Sequence, residues 1–256
     1  MNEASQHMFS LKGRTALITG GNGGLGLGMA EGLHAAGARV AVTGRNPEKN
    51  ALVPSHLDVY SMDVQDEESV VRTIAQIVNK HGSLDILVNN AGVGRRATVT
   101  ELRREEWDDI VAVNLTGAFL CSKHAVAAMR STGGGGKIIN IGSMYSQFGV
   151  PNSVTYGATK HGILGLTRAM AVELGRDGIQ VNAILPGWYV TAMTQHLKSS
   201  PNFDFVRRKT PAGRWGNPED LVGTVVFLSS KASDFITGAA IPVDGGYSVT
   251  DRPLYD

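Results

Sequence analysis

The chain has 256 residues, with 24 lysines and arginines against 23 aspartates and glutamates, and a formal net charge of +1. This balance gives no reason to expect a nucleic acid or an acidic membrane as a partner. A hydrophobic fraction of 42% with 18% charged residues excludes a disordered chain. The single cysteine, Cys121, excludes an intrachain disulfide and favours a reducing compartment.

Targeting and metal signals are missing from the sequence pattern. The segment MNEASQHMFS lacks the basic start and apolar centre of a secretory signal. The apolar runs are far shorter than the roughly 20 residues that cross a bilayer. The seven histidines show no metal-ligand spacing with a carboxylate or cysteine. We therefore expect a cytoplasmic protein with no membrane partner and no catalytic metal.

Short β-branched runs alternate with longer helical patterns along the chain. The predicted strands span residues 14–19, 39–43, 57–62, 84–88, 137–141, 179–185 and 240–243. The predicted helices span 25–36, 66–80, 101–130 in two pieces, 155–175 and 218–230. Strands without polar alternation, separated by helices, indicate a doubly wound α/β fold with a parallel sheet covered on both faces. No linker divides the chain, so one domain over 1–256 is expected, with tails at 1–10 and 247–256.

A glycine-rich turn follows the first predicted strand. Its sequence is Thr19-Gly20-Gly21-Asn22-Gly23-Gly24-Leu25-Gly26. Glycines between a strand and a helix let backbone amides approach a pyrophosphate at the helix N-terminus. The turn therefore predicts a dinucleotide site, and the alternative is a turn that only packs tightly.

The end of the second predicted strand bears on the choice of cofactor. An acidic residue there bonds both ribose hydroxyls and repels a 2′-phosphate, whereas an arginine attracts it. Here the residues are Thr43-Gly44-Arg45-Asn46, which bring no carboxylate and one guanidinium. The pattern favours NADP over NAD through Arg45, and the alternative is that Arg45 is an ordinary surface arginine.

A second group of residues carries acid–base chemistry. Tyr156 and Lys160 lie four apart at the start of a predicted helix and share a face, and Ser143 follows the fifth predicted strand. With the glycine turn, Asn89-Asn90-Ala91-Gly92, Asn114 and Pro186-Gly187, they resemble the short-chain dehydrogenase/reductase family. The resemblance covers about residues 11–246.

That resemblance implies a single-domain Rossmann fold with a seven-stranded parallel sheet and a nicotinamide cofactor. It implies a catalytic tetrad of Asn114, Ser143, Tyr156 and Lys160. With the glycines of the turn and Arg45, the implied cofactor contacts are Gly20, Asn22, Gly24, Leu25, Gly26, Asp63, Val64, Asn90, Tyr156, Lys160 and Thr191. Asp63 would meet the adenine amine, and Thr191 the carboxamide or pyrophosphate region. Asn114 would position a water near Lys160.

The chemistry can also be argued directly. A free tyrosine has a pKa of about 10, and lowering it to about 7 needs roughly 4 kcal/mol of preference for the phenolate. One ammonium at about 4 Å supplies about that much at an effective dielectric near 20. Lys160 is the candidate ammonium beside Tyr156, and Ser143 would hold the substrate oxygen.

The loops after strands four to six are expected to contact the substrate, through Arg95, Arg96, Gln147 and Trp188. The stretch 211–221 and the paired arginines resemble the sugar-acid dehydrogenases of the family, which act on gluconate and deoxy-keto-gluconate. An arginine fork suits a carboxylate, and nearby Tyr, Trp and Gln suit a substrate rich in hydroxyls. Alternatively, Arg95 and Arg96 face solvent or pair with Glu101 or Glu105.

The expected function is NAD(P)-dependent hydride transfer to or from a sugar, sugar acid or polyol. A 3-oxoacyl-thioester reductase is the second hypothesis, because the same tetrad serves it. A non-catalytic dinucleotide sensor ranks third, since it has no use for intact Ser, Tyr and Lys. Family members of this size indicate a homotetramer that pairs helices 101–130 and 155–175 and the final strand. The tail after Gly246 either reaches a neighbouring subunit or is loose.

Overall fold

One seven-stranded sheet organises the chain in the computed structural model, which describes residues 8–191 and 194–254. All six neighbouring strand pairs are parallel, in the order β3-β2-β1-β4-β5-β6-β7. The strands are β1 Thr15–Ile18, β2 Arg39–Gly44, β3 Asp58–Ser61, β4 Ile86–Asn89, β5 Gly136–Ile141, β6 Ile179–Pro186 and β7 Ala240–Val243. The predicted Rossmann fold with its seven-stranded parallel sheet is confirmed.

The helices connect these strands. They are α1 Gly24–Ala35, α2 Pro47–Asn50, α3 Glu67–His81, α4 Arg104–Val111, α5 Gly117–Thr132, α6 Val154–Leu174, α7 Pro201–Lys209 and α8 Val222–Ser229. A π-helical turn, Ala112–Thr116, joins α4 to α5, so the two predicted pieces of helix 101–130 form one continuous helical segment. The predicted helix 218–230 begins instead as a 3-10 turn, Pro218–Leu221, before α8.

Each face of the sheet buries its own apolar core. Adjacent residues of β1 face opposite ways: Ile18 belongs to the cluster containing Met29 of α1, and Leu17 to the cluster containing Ile77 of α3. Successive strand side chains alternate between faces, and both faces are covered here. This explains why the strands show no polar alternation.

Two glycines let α1 approach α8 and the turn before it. A β-carbon at Gly28 would lie 2.5 Å from Pro218, and one at Gly32 would lie 2.5 Å from Val222 Cγ1. Because α1 is pressed against this element, the N-terminus of α1 is held at the carboxyl edge of the sheet.

Helix α7 was not predicted, and neither was the 3-10 turn Gln195–Ser199 before it. Local signals were present: Pro201 stands at the first helical position, and three basic residues, 207–209, occupy the last turn. The chain after Gly246 packs on this helix of its own subunit. Leu254 N donates to Arg208 O at 2.9 Å, and Lys209 Nζ lies 4.3 Å from the centroid of the Tyr247 ring.

The helical segment Arg104–Thr132 is long and apolar enough to pass a membrane-span test based on length and composition alone. In its most apolar window, 56% of the segment is buried inside the fold. The segment packs as a core helix, with Met129 and Ala125 at zero exposure.

Candidate active site

The glycine turn between β1 and α1 forms an open cradle. Gly20 and Gly24 have φ values of +62° and +55°, which L side chains rarely adopt. Among the described residues, and leaving aside its chain neighbours, no heavy atom lies within 4 Å of a β-carbon built at Gly23. Helix α1 begins without a side-chain cap and has no acidic residue in its first turn. Its free backbone N–H groups therefore suit an anionic group such as a pyrophosphate.

Asn90 braces this turn with its side chain. Its Nδ2 donates to Thr19 O at 2.9 Å and to Gly20 O at 3.0 Å. A β-carbon at Gly26 would lie 2.5 Å from both Asn90 Nδ2 and Gly20 O. The amide that was predicted to contact cofactor thus holds the cradle in shape, and glycine is required where the helix starts.

Two residues predicted for the adenosine end meet each other. Arg45 Nη1 lies 3.3 Å from Asp63 Oδ2. Asp63 Oδ1 accepts from Gln65 N at 3.0 Å, and the pKa of Asp63 is lowered by the Gln65 and Arg45 hydrogen bonds despite opposing desolvation. Val64 is buried against α5, where a β-carbon at Gly117 would lie 2.7 Å from Val64 Cγ2. Only the backbone of Val64 can therefore face a nucleotide.

Thr191 lies opposite the glycine turn. A β-carbon at Gly24 would come within 3.9 Å of Thr191 Cγ2. Thr194 Oγ1 accepts from Thr191 N at 2.9 Å, which fixes the chain after β6 at this point. The structure thus brings the loop after β6 close to the cradle, and the contact of Thr191 with a cofactor stays a prediction.

Lys160 is a buried cation, at 5% exposure, near the carboxyl end of β5. Its Nζ donates to Ile141 O at 2.8 Å and lies 5.6 Å from the centroid of the Tyr156 ring. Burial lowers the pKa of Lys160 to about 8. The two predicted partners are therefore neighbours in the structure.

Tyr156 has a phenol whose pKa is raised by burial, and a hydrogen bond with Ser143 partly offsets that rise. Ser143 is 7% exposed and follows β5. Its Oγ accepts from Tyr145 N at 3.1 Å, and its N donates to Ser146 Oγ at 3.2 Å. The hydroxyl is therefore fixed beside the phenol by the turn that follows the strand.

Asn114 lies in the π-helical turn and is almost fully buried. Its Oδ1 accepts from Val93 N at 2.8 Å, and its Nδ2 donates to Val93 O at 2.9 Å. A β-carbon at Gly92 would lie 3.5 Å from Asn114 Oδ1 and 3.7 Å from Lys160 Nζ. Gly92 keeps the space between this amide and the ammonium open.

A buried polar chain links the central strands to α6. Asn89 Nδ2 donates to Asn140 Oδ1 at 2.8 Å, and Asn140 Nδ2 donates to Thr167 Oγ1 at 2.9 Å. Because Tyr156 and Lys160 stand on α6, these bonds fix the helix that carries both groups against the sheet.

Three aromatic side chains beside the Tyr156 phenol, Tyr145, Phe148 and Trp188, form what we call the aromatic wall. The ring of Tyr145 makes edge-to-face contacts with Tyr156, Phe148 and Trp188, with centroids 5.7–6.4 Å apart. Burial raises the pKa of Tyr145 to about 12. Trp188, predicted for the substrate, belongs to this wall. Tyr145 lies in the loop after the fifth strand, which was expected to contact the substrate, two residues after Ser143.

The two predicted arginines have different environments. Arg95 pairs with Glu106, which also binds Arg103, so the partner is neither Glu101 nor Glu105. Arg96 is exposed and has no ion pair within residues 8–191 and 194–254, and its charge acts on Tyr145. The next residue, Ala97, donates its N–H to Asn152 O at 3.0 Å, which holds this loop beside the start of α6.

Gln147 is exposed and lines an open cavity of about 610 Å³. The other lining residues are Ser146, His161, Leu164, Arg168 and Ala240. Among the described residues, no group of three or more His, Cys, Asp or Glu side chains is placed to hold a metal ion.

The fold and the site are those of a nicotinamide-dependent oxidoreductase family. Residues 20–248 match the family model described as Enoyl-(Acyl carrier protein) reductase, and the chain belongs to the short-chain dehydrogenase/reductase family. Gluconate 5-dehydrogenase of Gluconobacter oxydans is 41% identical over 95% of this chain and 98% of that protein. The 2-dehydro-3-deoxy-D-gluconate 5-dehydrogenase of Escherichia coli (strain K12) is 40% identical over 93% and 97%.

A solved structure agrees with this family assignment. It is that of a gluconate 5-dehydrogenase from Burkholderia cenocepacia in complex with NADP and tartrate. It is 38% identical, covers 96% of this chain and 99% of its own, and has a TM-score of 0.91. The resemblance to the short-chain family and its sugar-acid dehydrogenases is thereby confirmed.

Proposed function

We propose that this protein is an NAD(P)-dependent oxidoreductase. It transfers hydride between a nicotinamide cofactor and the secondary alcohol, ketone or hemiacetal of a sugar, sugar acid or polyol, and sugar acids are its main substrates. The observation that carries the proposal is the meeting of Tyr156, Ser143 and Lys160 at the sheet edge that holds the glycine cradle. The relatives named for gluconate and dehydro-deoxy-gluconate support the substrate class.

A nicotinamide cofactor, held with its pyrophosphate at the glycine cradle 20–26, would supply or take up the hydride. Tyr156 takes the hydroxyl proton in oxidation and returns it in reduction. Ser143 donates to the substrate oxygen and holds it within reach of the phenol. Lys160 favours the phenolate electrostatically, and Asn114 holds the open space beside Lys160 in which a water can relay the proton.

The cofactor is NADP in preference to NAD. Gly44 brings no carboxylate to the ribose, and Arg45 brings a guanidinium that Asp63 orients. An arginine fork can bond two oxygens of a 2′-phosphate. The Burkholderia relative was solved in complex with NADP, and so was a structure described as a 2-deoxy-D-gluconate 3-dehydrogenase from Agrobacterium tumefaciens.

Arg96 is the group that selects an anionic substrate. Arg96 is exposed on the loop after β4, its charge acts on Tyr145, and it has no carboxylate partner among the described residues, whereas Arg95 is engaged by Glu106. A carboxylate at the end of an open-chain sugar acid can occupy the free guanidinium. The aromatic wall then packs along the carbon chain.

The test follows reduced nicotinamide by absorbance over a panel of sugar acids, neutral polyols and a 3-oxoacyl thioester with each cofactor. Arg96→Ala is expected to raise KM about tenfold or more for a sugar acid and little for a neutral polyol. Arg95→Ala is the matched control, with a small effect on both. Equal effects of Arg96→Ala on both substrates would contradict the anion role. Turnover of the thioester alone would favour the reductase hypothesis.

We propose further that the chain forms one domain over 1–256 and assembles as a cytoplasmic homotetramer. One sheet joins strands from Thr15 to Val243. Exposed apolar side chains stand on the outer faces of α5 and α6, where Phe119 is 48% and Val172 87% exposed. Sedimentation would give four times the chain mass, and a monomer mass would refute the assembly.

A further inference from the structure

Gly44 is the residue at the end of β2 where a NAD-selecting carboxylate would stand. In this chain a side chain at that position would have to displace two side-chain amides. A β-carbon at Gly44 would overlap the side-chain amide of Asn22 and would lie 2.8 Å from Asn50 Oδ1. The Asn22 amide therefore occupies the volume that an aspartate at position 44 would need.

Asn50 holds that amide in place. Asn22 Nδ2 donates to Asn50 Oδ1 at 2.7 Å, and Asn50 Nδ2 donates to the backbone oxygen of Gly44 at 3.0 Å. The three residues form a closed bridge from the glycine turn across the end of β2. Asn22 and Asn50 are 28 positions apart in the chain, and both are half-buried.

A dedicated local structure positions Asn50. It is the last residue of α2, whose N-cap Asn46 accepts from Lys49 N at 3.0 Å, with Pro47 at the first helical position. Asn50 N donates to Asn46 O at 3.0 Å. This single helical turn places the Asn50 amide where it can bond both Asn22 and Gly44.

The bridge leaves bonding capacity on Asn22 for a ligand. One N–H of Nδ2 goes to Asn50, and within the described part of the chain the second N–H and Oδ1 make no hydrogen bond. A neutral amide can donate a hydrogen bond to a phosphate and does not repel it. The carboxylate of an aspartate at position 44 would repel the phosphate. Arg45 directly follows Gly44, and its exposed guanidinium is oriented by Asp63.

We propose that the Asn22–Asn50 bridge over Gly44 is a specificity device for the dinucleotide, and that Asn50 is a positioning residue that acts through Asn22. The bridge excludes a carboxylate from the ribose site and fixes a neutral donor beside Arg45, which favours a 2′-phosphorylated nucleotide. This inference rests on the proposed nicotinamide function, which supplies the dinucleotide.

The test measures binding of nucleotide fragments to the ligand-free protein by calorimetry, with 2′,5′-ADP and 5′-ADP as probes. Asn50→Ala should lower the ratio of the association constant of 2′,5′-ADP to that of 5′-ADP about fivefold, the range of one lost hydrogen bond. Glu48→Ala, on the same helical turn, is the control and should leave this ratio unchanged. A merely structural role would weaken both probes equally and lower Tm. An unchanged ratio in Asn50→Ala would overturn the proposal.

A second arm tests the steric part of the device. Gly44→Asp alone should weaken both probes tenfold or more, because the new side chain displaces the Asn22 amide. Gly44→Asp with Asn22→Ala should recover 5′-ADP binding and leave 2′,5′-ADP weak. If Gly44→Asp alone binds 5′-ADP as well as the double variant, the bridge does not exclude a carboxylate. If the wild type binds neither probe, the proposed function fails instead.

Discussion

Replacing Lys160 by methionine removes one positive charge from beside Tyr156 in a site of nearly constant shape. Lys160 Nζ lies 5.6 Å from the centroid of the Tyr156 ring. Taking this centroid distance as the separation between the ammonium and the delocalised phenolate charge, the interaction is worth about 3 kcal/mol at an effective dielectric near 20. Since one pKa unit equals about 1.4 kcal/mol, the pKa of Tyr156 should rise by about two units in Lys160→Met.

The assay is kcat for sugar-acid oxidation against pH, at saturating cofactor. At neutral pH the variant should turn over roughly 100-fold more slowly, because the phenolate fraction falls with the rise in pKa. The rate of the variant should recover as pH rises. Burial lowers the pKa of Lys160 to about 8, so the wild type loses its ammonium as pH rises through that value. The gap between the two profiles should therefore narrow at alkaline pH.

Lys137→Met is the matched control. Lys137 is also buried, at 4% exposure, but it lies near the amino end of β5, where its Nζ binds Asp234 Oδ1 at 2.7 Å. Its loss should leave the pH profile of kcat unchanged. If the low-pH side of the kcat–pH profile is the same for Lys160→Met and the wild type, the charge of Lys160 does not lower the pKa of Tyr156.

The remaining predictions concern stability. Gly32→Ala should lower the free energy of unfolding by about 1–2 kcal/mol, because overpacking against Val222 exceeds the gain in helix propensity. Gly223→Ala should be neutral or stabilising, because no described residue outside its own helix neighbours comes within 4 Å of the new β-carbon. Equal free energies of unfolding for the two variants, measured in urea, would contradict the packing argument. The hydrogen bond from Arg214 lowers the pKa of Asp220 to about 2 from 3.8. The ionised Asp220 therefore contributes fully to the free energy of unfolding above pH 3.8, and this contribution is lost as pH falls through 2. Asp220→Asn should lower the free energy of unfolding by about 1 kcal/mol at neutral pH, after discounting for solvent screening. The difference in free energy of unfolding between the variant and the wild type should vanish near pH 2. Asp109→Asn, on an exposed face, is its control, and a difference that persists in acid would refute the assignment.

The sequence was sufficient for the sheet and for the cradle because their signals are local. Each buried strand is a β-branched run, and the turn Thr19–Gly26 lies directly between β1 and α1. Helix α7 was missed because only Val206 of its nine residues is buried, which gives too weak an apolar period to find. Its proline and its basic last turn were the available signals.

The sequence predicted which candidate residues would lie together, but fewer of their contacts. The meeting of Tyr156, Lys160 and Ser143 follows from helix periodicity and from the rule that strand ends share one edge. The pairing of Arg95 with Glu106 depends on the path of a loop, and the pattern gave no reason to choose Glu106 over its neighbours. The Asn22–Asn50 bridge joins two loops, and no local pattern predicts such a contact.

We expect the Tyr156 hydroxyl to move the proton while hydride passes between a nicotinamide and a sugar acid. The direct measurement is turnover of D-gluconate with NADP by Tyr156→Phe, paired with calorimetric binding of NADP to the same variant. We expect turnover to be abolished while the dissociation constant for NADP stays within about fivefold of the wild type, since the phenol contributes at most one hydrogen bond to binding. Retention of most of the turnover with intact binding would contradict it.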